Sequence, residues 1–159
     1  MTTSPWMNDE LEALGHHWSL SSEKARGARY LASAGDRARA VFANEDAMRH
    51  YERALGALAQ ANERSELERA ARESLADLLA LTGQRSKAQA HYEILLCEFE
   101  EARARQAAAR IERKAGCLLW EAGDRSGARA RFTSGLARLD ESDHTERAHH
   151  LEALVEGVD

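Results

Sequence analysis

Three groups of residues in this chain carry side chains able to do chemistry. Among seven histidines are two adjacent pairs, His16-His17 and His149-His150. Paired imidazoles suggest a transition metal, but neighbouring helical residues point about 100° apart. Neither pair can chelate from one face, and zinc needs a spacing of i, i+4 or three ligands converging in space. Each pair reads as a surface histidine beside a half-buried one. Two cysteines, Cys97 and Cys117, stand without metal or redox spacing, and nothing nearby forms a thiolate-stabilising pattern. They read as small buried hydrophobes on neighbouring helices, and as reduced thiols that fit a cytoplasmic protein. Carboxylates are many, but they sit in helical salt-bridge spacings such as Glu63, Glu66 and Arg69, or Glu98, Glu101 and Arg105. No serine lies in a glycine-rich elbow, no nucleophile has a base and an orienting group, and no phosphate-binding loop is present. The sequence predicts no enzyme, no metal and no cofactor.

The elements that must position these side chains are helices. The stretch from Leu78 to Tyr92, LLALTGQRSKAQAHY, recurs forty residues later from Leu118 to Phe132, LLWEAGDRSGARARF. An internal repeat at fixed spacing is a strong fold signal. Leu78-Leu79 ends one helical run, and Gly83 and Gly123 fall where a left-handed residue closes a helix. Arg-Ser then opens a second helix, in which Ala88 and Tyr92, and likewise Ala128 and Phe132, share one face. A third copy of that helix reads Ala47, Tyr51, Ala54, with the phase kept at 40 or 41 residues. Composition agrees. Of 159 residues one is proline, Ala, Leu, Glu and Arg dominate, and β-branched residues are scarce. The net charge of −5 comes from interleaved signs, which gives no push toward nucleic acid or an anionic membrane. No apolar run approaches the roughly 20 residues that span a bilayer.

Taken in order, the chain predicts eight helices. Ser4-Pro5 opens a flanking helix over 5–19 with Leu11, Leu14 and Trp18 as its apolar stripe. A pair over about 23–61 follows, its first helix running through Gly35 to Phe42 with Val41 on the inner side. Its second helix is capped by Asn44. A second pair spans 65–101, opened by the capping box Ser65-x-x-Glu68. A third spans 104–139, and repeat phase demands a break between residues 101 and 104. Thr145 caps a last flanking helix over 146–155. The expected architecture is one all-α domain over 1–159, a right-handed α-solenoid of three helix pairs with a flanking helix at each end.

These residues resemble the tetratricopeptide (TPR) repeats. Small residue, turn glycine, alanine and aromatic follow in order as Ala76, Gly83, Ala88 and Tyr92, then as Gly116, Gly123, Ala128 and Phe132. The period of 40 or 41 exceeds the roughly 34 residues of a TPR unit. The first sixty residues are also similar to the helical tail of bacterial regulators that link an ATPase to a nucleotide cyclase or a transcriptional activator. His16-His17-Trp18, Tyr30-Leu31-x-x-Ala34-Gly35 and Phe42-Ala43-Asn44-Glu45-x-Ala47 carry that likeness.

The resemblance implies a groove lined by the first helix of each pair. Its positions here are Arg29, Asp36 and Arg39, then Glu73, Ser74 and Asp77, then Arg110, Arg113, Lys114 and Trp120. Arg110 and Lys114 stand where some members grip a peptide carboxylate, but Ala32, Asp36 and Ser74 replace the rest of that clamp. The expected function is a protein-interaction module that docks a protein or peptide segment, part of a bacterial signalling system. The alternatives are an arm that self-associates through its end helices, and a small-molecule sensor lined by Trp18, Tyr30 and Trp120.

Overall fold

The computed structural model describes residues 6–19, 24–61 and 65–155. Every regular element among them is a helix: α1 (Trp6–Ser19), α2 (Lys24–Ala40), α3 (Asn44–Ala61), α4 (Glu66–Leu81), α5 (Arg85–Glu101), α6 (Arg105–Glu121), α7 (Arg125–Ala137) and α8 (His144–Val155). The chain divides into two compact units, Met1–Thr82 and Gly83–Asp159. In the first, each of α1 to α4 packs on the next. In the second, α5, α6, α7 and α8 do the same and α8 also touches α6.

Tight turns with one left-handed residue join α2 to α3, α4 to α5, α5 to α6 and α6 to α7. That residue is Phe42 (φ 60°), Gly83 (79°), Arg103 (55°) and Gly123 (88°). Around Arg103 the amide of Ala104 donates to the Phe99 carbonyl at 2.8 Å and that of Arg103 to Glu100 at 3.0 Å. The same two bonds close the turns at Phe42 and Gly123, which makes each a Schellman end that satisfies the last carbonyls of its helix. The break that repeat phase demands between 101 and 104 is therefore present, though no glycine marks it.

Packing follows a rule of small against large. A Cβ added at Gly15 would lie 2.7 Å from Leu31 Cγ, and one at Gly35 would lie 2.8 Å from the Tyr51 ring; one at Gly116 would overlap Phe132. Each pair is sixteen residues apart, so the register is set once per helix hairpin. Gly35 stays inside α2, fully buried, because the Tyr51 ring needs its missing side chain. Alanines fill the remaining contacts, with Leu31, Leu58, Leu75, Leu95, Ile111 and Leu118 as the larger buried residues.

Several expectations are corrected. Val41 does not face inward: α2 ends at Ala40, and the turn leaves Val41 65% and Phe42 87% exposed. Leu14 is exposed on α1, whose buried face centres on Gly15. Thr145 caps nothing, since α8 starts at His144 and the Asp143 carbonyl accepts from Arg147. Only half of the capping box is made. Ser65 Oγ accepts from the Glu68 amide at 3.3 Å, while the Glu68 carboxylate turns to Arg72 at 2.5 Å. Arg105 opens a new helix, and its guanidinium reaches Asp140. Ser4-Pro5, Glu63 and the side chain of Trp18 lie outside the described residues.

Candidate functional site

The groove positions of the first unit lie on α2 and α4. Arg29 is exposed on α2. Arg39 and Asp77 face each other across the two helices at 4.0 Å, so two expected ligand-binding residues pair with one another. Glu73 and Ser74 are half-buried on α4. Asp36 accepts a 2.6 Å hydrogen bond from the Tyr51 hydroxyl. Burial, and then that bond and the Asp36 charge, push the Tyr51 phenol up to about 12.

The second unit gathers its positions on α6, where α8 lies alongside. Arg110 and Gln106 line one side of a polar cavity of about 320 Å³, with residues 142–146 at the start of α8 on the other. Arg113 Nε donates to Glu146 Oε1 at 2.9 Å. Burial alone raises the Glu146 carboxyl, but the Arg113 hydrogen bond and charge outweigh it and hold the group below its usual range. Lys114 is half-buried one turn beyond Arg110. The Trp120 ring lies under the Arg125 guanidinium, 3.6 Å from its centroid, a cation–π contact. Arg125 also donates to the Trp120 carbonyl at 2.8 Å. Beside this stack, Cys117, Trp120, Glu121, Phe132 and Ala153 enclose a smaller cavity of about 170 Å³.

Three features of this region escaped sequence reasoning. Glu112 is buried, yet its carboxylate meets Arg131 at 3.1 Å, Arg138 at 3.3 Å and the Ser134 hydroxyl at 2.9 Å. Arg131 and Arg138 reach on to Glu93 and Glu100 of α5. These charges cross between helices at a spacing of 38 residues, as Arg39 and Asp77 do, so a search of i, i+4 spacings passes over them. A second feature is His150, fully buried, with Nε2 3.0 Å from the Ala109 carbonyl and its ring filling the space over Gly135. Burial pushes its pKa below the ordinary value. The third is Arg125. Its frame position recurs as Arg85 and Arg125, a signal that sequence reasoning used only to start a helix.

The remaining chemistry-bearing residues scatter. His16 and His17 are exposed, and His149 is exposed beside the buried His150. Cys97 and Cys117 are exposed and not disulfide-bonded, which corrects the buried reading. On α5 the buried stripe runs through Leu95, Leu96 and Phe99 and leaves Cys97 beside exposed Ile94. Among the described residues no three metal-ligating side chains converge, and no helix is long and apolar enough to cross a membrane. Tyr30 belongs to the first unit and Trp120 to the second.

No protein-family model and no curated protein matches the chain. Solved structures do. BtubC (BKLC) from P. vanneervenii matches over 96% of this chain with a TM-score of 0.70 and 17% identity. The chain spans 61% of that protein's length. Two structures of a Podosopora anserina putative kinesin light chain with nearly identical TPR-like repeats match with TM-scores of 0.59 and 0.58. Each is 12% identical, and the matches cover 99% and 98% of this chain and 87% of theirs. At these identities the likeness speaks for the backbone alone, and it bears out the expected fold: an all-α solenoid of TPR-like helical repeats.

Proposed function

We propose that the chain is a non-enzymatic protein-interaction module, one repeat domain whose second unit carries the binding face. The observation behind this reading is the α6–α8 region, where Arg110 lines one surface cavity and Trp120 another, with half-buried Lys114 between them on α6 of a TPR-like frame. Repeats of this kind bind by docking an extended peptide or a helix against packed helices. A bacterial signalling partner is the finer form of the proposal, supported by the likeness of the first sixty residues to the tails of ATPase-linked regulators. The kinesin light chains among the structural neighbours carry the same type of repeat.

The test is affinity capture from lysate of the source cell at about 0.15 M salt, where surface charges are screened beyond about 8 Å. A variant carrying Arg110→Glu and Lys114→Glu runs beside the natural chain. Expected is a protein retained by the natural chain and lost by the variant, with helicity unchanged. Equal retention by both removes the groove.

Exposed Leu14 on α1 and Leu151 on α8, at 41% and 48%, favour a second reading, an arm that self-associates through its end helices. A molar mass independent of concentration in light scattering excludes it.

A further inference from the structure

We propose that the 170 Å³ cavity between α6, α7 and α8 is an anchor pocket for one large aliphatic or aromatic side chain, flanked by basic residues, on a partner's peptide segment. This inference rests on the interaction-module reading and names the chemistry of its ligand. Size makes the first argument. Pockets for small molecules and cofactors run to about 300–1,000 Å³, so this one takes a single side chain. Its walls make the second. The Trp120 and Phe132 rings, the Ala153 methyl and the Cys117 thiol are apolar or weakly polar, and interface hot spots are anchors seated in such pockets.

The walls are also set in advance. Phe132 is wedged against Gly116, Trp120 is held beneath Arg125, and α8 is fixed by His150 one turn before Ala153. Binding to such a pocket orders little that was free, which favours affinity for a small contact. Charge makes the third argument. Arg125 is committed to the Trp120 ring and carbonyl, whereas exposed Glu121 forms no ion pair among the described residues. Glu121 is thus the charged side chain that lines the pocket, and its carboxylate complements a basic neighbour of the anchor.

Cys117 reports directly on occupancy. In a Cys97→Ser background its alkylation rate by iodoacetamide is measured with three blocked pentapeptides at millimolar concentration: Ala-Lys-Leu-Lys-Ala, Ala-Lys-Ala-Lys-Ala and Ala-Glu-Leu-Glu-Ala. The lysine-flanked leucine peptide is expected to protect Cys117 with an affinity about tenfold above the alanine peptide, the usual discrimination for a few buried methylenes. It is also expected to exceed the glutamate-flanked peptide. Ala153→Met, which fills the cavity from α8, is expected to abolish protection while circular dichroism stays unchanged. Equal protection by the leucine and alanine peptides, or by the two flanking charges, overturns the pocket. So does protection that survives Ala153→Met, or protection that grows with the protein's own concentration in the absence of peptide. Lysate partners lost by the Arg110→Glu and Lys114→Glu variant but kept by Ala153→Met would sink the pocket and leave the interaction module standing.

Discussion

Phe42 and Arg103 occupy turn positions that Gly83 and Gly123 fill elsewhere, all with positive φ. A non-glycine residue in that conformation costs about 1–2 kcal/mol. The Schellman bonds of each turn hold it there. Arg103→Gly is therefore expected to raise stability by about 1 kcal/mol in denaturant unfolding, since the relief of strain exceeds the added freedom of the unfolded chain. Unchanged or lowered stability would show that the turn is not strained. Inside a helix the same exchange runs the other way. Gly35→Ala gains about 1 kcal/mol of helix propensity but drives a methyl into the Tyr51 ring, and overpacking costs about 1–3 kcal/mol. The ring is tied by its hydroxyl to Asp36 on the same helix, so it cannot retreat. Net destabilisation of up to about 2 kcal/mol is expected from the denaturant midpoint, and a gain would refute the close packing.

At the scale of an element, α8 is held by a hydrogen-bonded histidine and a salt bridge rather than by a large apolar face. His150 lies against Gly135 of α7 and the Ala109 carbonyl of α6, with Glu146 of α8 and Arg113 of α6 as the charged neighbours. Burial depresses its pKa below the ordinary value of 6.5, so the docked helix prefers neutral imidazole. That contribution is fully present above 6.5 and is lost as pH falls through 6.5 toward the lower folded value. Glu146, held below its ordinary value of 4.5, adds a loss at more acid pH. Hydrogen exchange in α8, corrected for intrinsic rates, is expected to speed up between about pH 7.5 and pH 5.5, where histidine titrates. In His150→Leu the acceleration is expected to vanish; its persistence would assign the effect elsewhere. The α5–α6–α7 contact depends on Glu112 in the same way. Glu112→Ala strands two guanidinium groups that Glu93 and Glu100 only partly neutralise, for an expected loss of about 2–3 kcal/mol in denaturant unfolding. A loss below about 1 kcal/mol would mean the outer pairs suffice.

Across the whole molecule, local grammar was legible and partnership was not. The glycine turns, the alanine–aromatic faces and even the unmarked break near Arg103 follow from a repeat that one sequence displays. What a side chain meets one repeat away does not. The sixteen-residue fit of Gly116 to Phe132 was present in the sequence as a small residue and an aromatic, without a sign that they touch. The charges of Glu93, Glu112 and Arg138 did not stand out, and Arg39 was expected in the groove, because their partners stand 19 to 38 residues away. The sequence expected one half-buried histidine in the His149-His150 pair without saying which, because only the packing of α6 and α7 encloses His150. A chain built of such nearest-neighbour contacts stores stability locally. Gly35→Ala is therefore expected to speed hydrogen exchange most in α2 and α3, which share the Gly35–Tyr51 contact. Gly116→Ala, crowding Phe132, is expected to act most on α6 and α7. Both follow from contacts within a single unit, and mass-resolved exchange of peptides from each helix reads them separately. If both variants instead raise exchange evenly over all described helices, every helix opens only by global unfolding, and the repeat-by-repeat account of stability fails.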